Sequence, residues 1–286
     1  MYSIRIKSIA WVDFSSPQSS FSPLSSDRSI YYTEYIRKPY EKEGIKMLTI
    51  KNLSKHYKGS NKGVTDINLT IEAGDIYAFI GHNGAGKTTT LKCVVGIHGF
   101  DEGEILINGV SIKEDPLLCK QQFAYIPDNP DLYEYLTGIQ YLNFIADIFE
   151  VPVADRERRI EKYADAFGIT ASLGDLISSY SHGMKQKLAI ISAFVHEPKL
   201  LILDEPFVGL DPKATVVLKN MMRELCEAGG AIFFSTHVLD VAEKLCNKVA
   251  IIKDGVLIRA GKMDEVVKQG ESLESIFMEV ACDEAN

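Results

Sequence analysis

Long uncharged runs are missing from this 286-residue chain. Stretches such as Tyr135 to Ala146 fall well short of the roughly 18–20 apolar residues that span a bilayer, which argues against an integral membrane protein. No apolar run follows the few basic residues at the N-terminus, so the pattern of a secretory signal is missing too. Cysteine is sparse: Cys93, Cys119, Cys226, Cys246 and Cys282 are odd in number and widely spaced, with no C-x-x-C pair. Buried or free thiols in a reducing compartment are expected, not a metal or disulfide framework. Positive charge is also short, with 31 Lys and Arg against 39 Asp and Glu, a net −8. Because the first 46 residues are slightly basic, the rest carries the whole acidic excess. Such a body does not suit a protein that grips nucleic acid through a broad basic face, and no nucleic-acid partner is expected. What remains is ordinary: 46% hydrophobic and 24% charged residues, the composition of a folded globular chain with one large domain or two modest ones.

The first 46 residues differ from the rest. Eight of the fifteen residues from Ser15 to Ser29 are serine, broken by Pro17 and Pro23. A stretch so poor in apolar groups cannot offset its ordering entropy. Residues 1–46 are therefore expected to be disordered or a non-native extension, with Met47 the natural start; a partner-binding arm is the competing reading. The codons of Glu43-Gly44 allow a purine run of the ribosome-binding kind at suitable spacing. Intact mass of the protein from its native host decides between them.

From Met47 to the end, strands at 48–53, 64–71, 75–80 and 104–107 surround a helix at 86–96. Helices at 182–196, 212–228 and 238–246 then alternate with strands at 200–203, 231–235 and 249–252. Alternation of this kind implies an α/β fold with a mostly parallel sheet. The region 115–180 reads as an inserted helical subdomain, because Tyr141, Leu142, Phe144, Ile145 and Ile148 recur at helical spacing. Residues 256–286 read as a C-terminal tail. Tyr133, Tyr135 and Tyr141 are expected in the core.

Residues 81–88, G-H-N-G-A-G-K-T, match the phosphate loop G-x-x-x-x-G-K-[ST] in full. Gly81, Gly84 and Gly86 allow a tight turn whose N–H groups point inward at phosphate oxygens. The following helix adds the positive end of its dipole. Lys87 supplies a point charge to the β- and γ-phosphates, and the Thr88 hydroxyl a ligand for Mg²⁺. His82, Asn83, Ala85 and Thr89 complete the predicted cradle. A second site follows from Leu200-Leu201-Ile202-Leu203-Asp204-Glu205, a buried strand with two carboxylates at its C-terminal end, where open α/β sheets place ligands. Asp204 would hold Mg²⁺ through water and Glu205 would polarise the attacking water. Taken alone, an acidic pair after a strand is more often a solvated turn; the phosphate loop makes the functional reading prevail.

Four further segments resemble the ATP-binding cassette (ABC) family, in its order. Tyr180-Ser181-His182-Gly183-Met184 resembles the signature motif, and Gly209-Leu210-Asp211-Pro212 the loop after the second carboxylate motif. Ser235-Thr236-His237 resembles the switch-histidine motif, while Phe123-Ala124-Tyr125-Ile126-Pro127-Asp128 falls at the glutamine loop. The resemblance covers residues 47 to about 255. It implies a P-loop NTPase with a mostly parallel core, an antiparallel β subdomain and the helical insertion. It further implies two cassettes, expected to be a homodimer, enclosing two ATP molecules head to tail. Ser181, His182 and Gly183 would then face the γ-phosphate held by the neighbouring phosphate loop. His237 would contact that phosphate and orient Glu205, Asp211 would link the two sites, and Tyr57 would stack on adenine.

Three departures stand out: His182 replaces a signature glycine, Met184 a glutamine, and Asp128 the usual loop glutamine. Asp128 is shorter and anionic, so as a candidate metal residue it is expected to reach the metal through water or not at all. The expected protein is an ATP-hydrolysing subunit of an ABC transporter, with ATP and Mg²⁺ as cofactors, permease subunits on separate chains, and a place at the cytoplasmic face of the membrane. The run S-x-G-M-K-Q-K is similar to that of bacterial exporter subunits of the Ecs-like type. A soluble ABC ATPase acting on nucleic acid or ribosomes, and a regulatory module that scarcely hydrolyses ATP, are the rival readings.

Overall fold

The computed structural model describes residues 3–5, 11–13, 44–59, 62–268 and 270–282. The chain divides into two units, residues 1–42 and 43–286. In the first, β1 (Ser3–Arg5) pairs antiparallel with β2 (Trp11–Asp13), Ile4 standing opposite Val12. The serine-rich stretch 15–29 lies outside the described residues.

The second unit is built on two sheets. The smaller has the order β4-β3-β6-β7 and is antiparallel throughout. It comprises β3 (Lys46–His56), β4 (Gly63–Glu72), β6 (Glu102–Ile107) and β7 (Val110–Ser111). The larger contains β5 (Ile76–Ile80), β8 (Phe123–Ile126), β9 (Leu200–Asp204), β10 (Ala231–Thr236), β11 (Lys248–Lys253) and β12 (Val256–Lys262). Its order is β12-β11-β5-β10-β9-β8, parallel except where edge strand β12 runs back along β11. Every residue of β5, β9 and β10 is buried, as the unbroken apolar runs of strands covered on both faces require. Strand β8 falls inside 115–180, the stretch read as helical: an apolar run of four carries no decisive period. Strand β12 likewise belongs to the core sheet, within the stretch read as tail.

The helices follow their apolar stripes. α1 (Lys87–Val94) starts from the phosphate loop, and the short α2 (Pro116–Lys120) follows β7. α3 (Gly138–Ile148) opens on a capping box in which Thr137 and Gln140 answer each other's orphan backbone donors. α4 (Val153–Phe167) buries Ile160, Tyr163, Ala164 and Phe167, one stripe at i, i+3, i+4 and i+7. α5 (His182–Val195) is buried almost all round from Leu188 to Val195. α6 (Pro212–Glu227) has Asp211 as N-cap and proline in its first turn. α7 (Leu239–Leu245), α8 (Met263–Val266) and α9 (Leu273–Cys282) complete the unit. Among the described residues no helix is long and apolar enough to cross a membrane. Cys93, Cys119, Cys226 and Cys246 are free and buried.

The tyrosine cluster is not wholly core. Tyr133 packs on Tyr135, Tyr141 and Phe144, but Tyr135 is 63% exposed. Spacing alone does not distinguish a ring at the rim of a cluster from one inside it.

Candidate functional site

Four parallel strands end side by side, and the sequence puts a polar group just beyond each. The phosphate loop follows β5, Asp128 follows β8, Asp204 closes β9, and His237 follows β10. Between them lies an open cleft of about 350 Å³. Of the predicted residues, Tyr57, His82, Asn83, Gly84, Gly86, Lys87, Thr88, Thr89, Asp128, Asp204 and Glu205 line it. Lys62 and Gly63 line it as well; no spacing or motif marks them in the sequence.

The loop is tightly built. Gly86 sits at φ 110°, and a Cβ there would come within 2.6 Å of Val64 Cγ1, so only glycine fits the entry to α1. Lys87 is buried and folds back on the loop, its Nζ donating to the carbonyls of Gly81 (2.6 Å) and His82 (3.3 Å). The same Nζ lies 3.6 Å from Glu205 Oε1. The His82 ring lies between the Asn83 carbonyl (2.9 Å) and Asp254 (3.6 Å). Tyr57 is half-buried, its hydroxyl 3.4 Å from Thr89 Oγ1 and its ring edge-to-face with His98.

The carboxylates are held by neighbouring strands. Ser235 on β10 stands beside Asp204 in register; its hydroxyl donates to Asp204 Oδ1 and accepts from the Glu205 amide (3.1 Å). Thr88 also hydrogen-bonds Asp204, yet burial raises this carboxyl above its usual range. Asp204 Oδ2 is buried without a partner. An orphaned carboxylate oxygen beside the Thr88 hydroxyl is a donor set that suits a hard cation taking oxygen ligands and water. Among the described residues no three His, Cys, Asp or Glu side chains converge on a metal-sized space. A Mg²⁺ ion here would therefore complete its shell from water and phosphate, the usual arrangement for this metal. Glu205 adopts φ 49°, an unfavourable region for a side-chain-bearing residue. That conformation puts Oε2 within 3.0 Å of His237 Nδ1 and 3.3 Å of the His237 amide.

Ser181, His182, Gly183 and Asp211 do not line the cleft. Ser181 N-caps α5, its Oγ accepting from Met184 N (3.3 Å). The helix tip packs on the loop ahead of α6: a Cβ on Gly209 (φ 80°) would lie 2.8 Å from the His182 ring. Lys187 Nζ is 2.7 Å from Asp211 and holds that carboxyl below the usual range. Ser235 is the structural residue that sequence reasoning left without a role, although it sits inside S-T-H.

Comparison with known proteins shows the family of the chain. The family described as ABC transporter matches residues 64–208. The ABC-type transporter ATP-binding protein EcsA of Bacillus subtilis is 34% identical over 245 residues, 84% of this chain and 99% of that protein. This chain belongs to the ABC transporter ATP-binding family. Its reaction is accordingly the hydrolysis of ATP within a transporter. The linearmycin resistance ATP-binding protein LnrL of Bacillus subtilis is 31% identical, over 75% of this chain and 69% of its own length. Among solved structures, an ATP-binding subunit of an ABC transporter superposes with a TM-score of 0.79 at 37% identity, covering 82% of this chain and 99% of that one. The cassette MJ0796, a dimer bound to ADP and phosphate after hydrolysis, shares the fold at a TM-score of 0.69 and 22% identity, covering 76% and 99%.

Proposed function

We propose that this ABC ATPase works as a head-to-tail pair of identical chains driving permease subunits carried on separate polypeptides, and that it serves export. The observation that carries the reading is the division of the site. The phosphate loop, Asp204, Glu205 and His237 gather at one set of strand ends, while the Ser181-capped helix tip stands outside that cleft. A helix N-terminus with its donors exposed is an anion site, and a second chain brings it to the γ-phosphate.

In this reading Tyr57 stacks on adenine, and the backbone of Gly81 to Gly86 with Thr89 cradles the phosphates. Lys87 exchanges the Gly81 and His82 carbonyls for phosphate oxygens. Thr88 and Asp204 would hold Mg²⁺, which would supply positive charge against the negative charge that develops in phosphoryl transfer. Glu205, held beside the strand by Ser235 and aligned by His237, accepts a proton from the attacking water. Asp128, exposed at the cleft wall, would reach the metal only through water, if at all. Asp211 and His182 connect one site to the other. The exposed Tyr135 and the half-buried Tyr133 and Tyr141 offer a contact for a permease, which puts the subunit at the cytoplasmic membrane face. The export reading rests on likeness to EcsA and LnrL.

Because each site needs two chains, hydrolysis per subunit in the absence of permease should rise with protein concentration across the dimerisation range. A rate per subunit that stays flat there contradicts the shared site.

A further inference from the structure

Tyr125 lies on β8 directly opposite Ile202 of β9. Paired residues of parallel strands project to the same face, and residues two apart share it. Tyr125 therefore stands on the sheet face that also carries Asp204. Its hydroxyl is sealed from solvent and has no hydrogen-bond partner; Asp204 Oδ2 is in the same condition. One orphan is a donor and the other an acceptor. Buried polar atoms are ordinarily paired, so each such exception calls for a reason. A phenylalanine would fill the same space without burying an unused oxygen.

The rest of Asp204 is already committed, with Oδ1 held by Ser235. Asp128, three residues beyond Tyr125 on the same side of the sheet's strand order, contributes an anion, not a donor. Burial, and then the nearby charges of Asp204 and Asp128, raise the Tyr125 phenol above its ordinary value, so it keeps its proton throughout the physiological range.

We propose that Tyr125 is a positioning residue of the metal–nucleotide site: with magnesium nucleotide bound, its hydroxyl donates toward Oδ2 of Asp204, directly or through one water, and fixes that carboxylate's orientation. The inference rests on Asp204 being the metal-side carboxylate. It assigns Tyr125 no contact with the reacting atoms.

Tyr125→Phe removes the oxygen and nothing else. The full chain is loaded with a non-hydrolysable ATP analogue, and Mn²⁺ binding is followed by electron paramagnetic resonance. Analogue affinity in EDTA and the Tm of the nucleotide-free protein are measured alongside. The expected result is a loss of Mn²⁺ affinity on the order of tenfold, the scale of a hydrogen bond to a charged group. Analogue affinity in EDTA should be unchanged, and the Tm of the free chain should rise because the unpaired hydroxyl is gone. Unchanged Mn²⁺ affinity in Tyr125→Phe, where Asp204→Asn weakens it, overturns the proposal. Should Asp204→Asn itself leave Mn²⁺ binding intact, the metal-side reading of Asp204 fails and takes the proposal with it.

Discussion

At the scale of single residues, the site is defined by charged groups held close together. Lys87 is a buried cation answered, among the described residues, by the Gly81 and His82 carbonyls and, at 3.6 Å, by Glu205. Phosphate oxygens are stronger acceptors for an ammonium than carbonyls are. Lys87→Ala should thus weaken ATP binding by about tenfold or more, the value of a charge-assisted hydrogen bond, as read by calorimetric titration; unchanged affinity would contradict the role. Asp128→Gln should leave ATP binding intact, because Asp128 sits at the wall of the cleft and the nucleotide is gripped by the loop; complete loss of binding would show the placement of the residue to be wrong. His196 should make the fold sensitive to acid. Part of His196 remains exposed, yet its ring lies flat on Phe149 at 3.7 Å. Burial, helped by Arg159, pushes its pKa down to about 3. The unfolded chain takes up a proton near pH 6.5 and the folded chain does not, so the stability is fully present above about 6.5 and is lost as pH falls toward 3. By pH 5 the loss should reach about 1–2 kcal/mol, measured by urea unfolding against His196→Phe, in which that slope disappears.

At the scale of elements, most of the fold was legible because the strongest patterns are the ones physics leaves least choice about. The runs that became β5 and β9 are apolar throughout since both faces are covered, and the loop 81–88 has one structural solution. Local pattern does not decide where the signal is short or shared. β8 has four residues, β7 two, and β12 is an edge strand whose Val256 and Ile258 stay exposed. Ser235 was legible as part of a motif, but its bond to Asp204 depends on register between β9 and β10, which no local pattern encodes. Tyr125 was invisible for the same reason. The polar knot at the opposite end of the strands was not foreseen either. Lys248 Nζ lies 2.7 Å from Glu72 and 2.9 Å from the buried Asp75. Its hydrogen bond holds the Glu72 carboxyl below its usual range. Asn247 bridges Asp75 and the Ile76 amide. The knot ties the end of β4 to the starts of β5 and β11. Lys248→Met leaves the Asp75 carboxylate buried without its cation and should cost about 3 kcal/mol, read from denaturant unfolding; a change below 1 kcal/mol would show the knot to be ornamental.

At the scale of the whole molecule, the candidate residues do not all stand in one place: Lys87, Thr88, Asp204 and Glu205 line the cleft, while Ser181 and Asp211 do not. The loop bearing Asp211 is fastened to the signature helix of the same chain through Lys187 and the His182–Gly209 contact, so movement of the helix tip carries that loop with it. In the proposed dimer, a second chain approaching the γ-phosphate through Ser181 would therefore bring Asp211 as well, and would link nucleotide occupancy to dimer geometry. The decisive measurement is sedimentation of Glu205→Gln with saturating ATP and Mg²⁺, in which hydrolysis no longer opens the sandwich. A stable dimer holding two ATP molecules is expected, and a monomer that still binds ATP when Ser181→Arg is added to the same background. A Glu205→Gln chain that stays monomeric with ATP bound, or a Ser181→Arg variant that dimerises equally well, would contradict it.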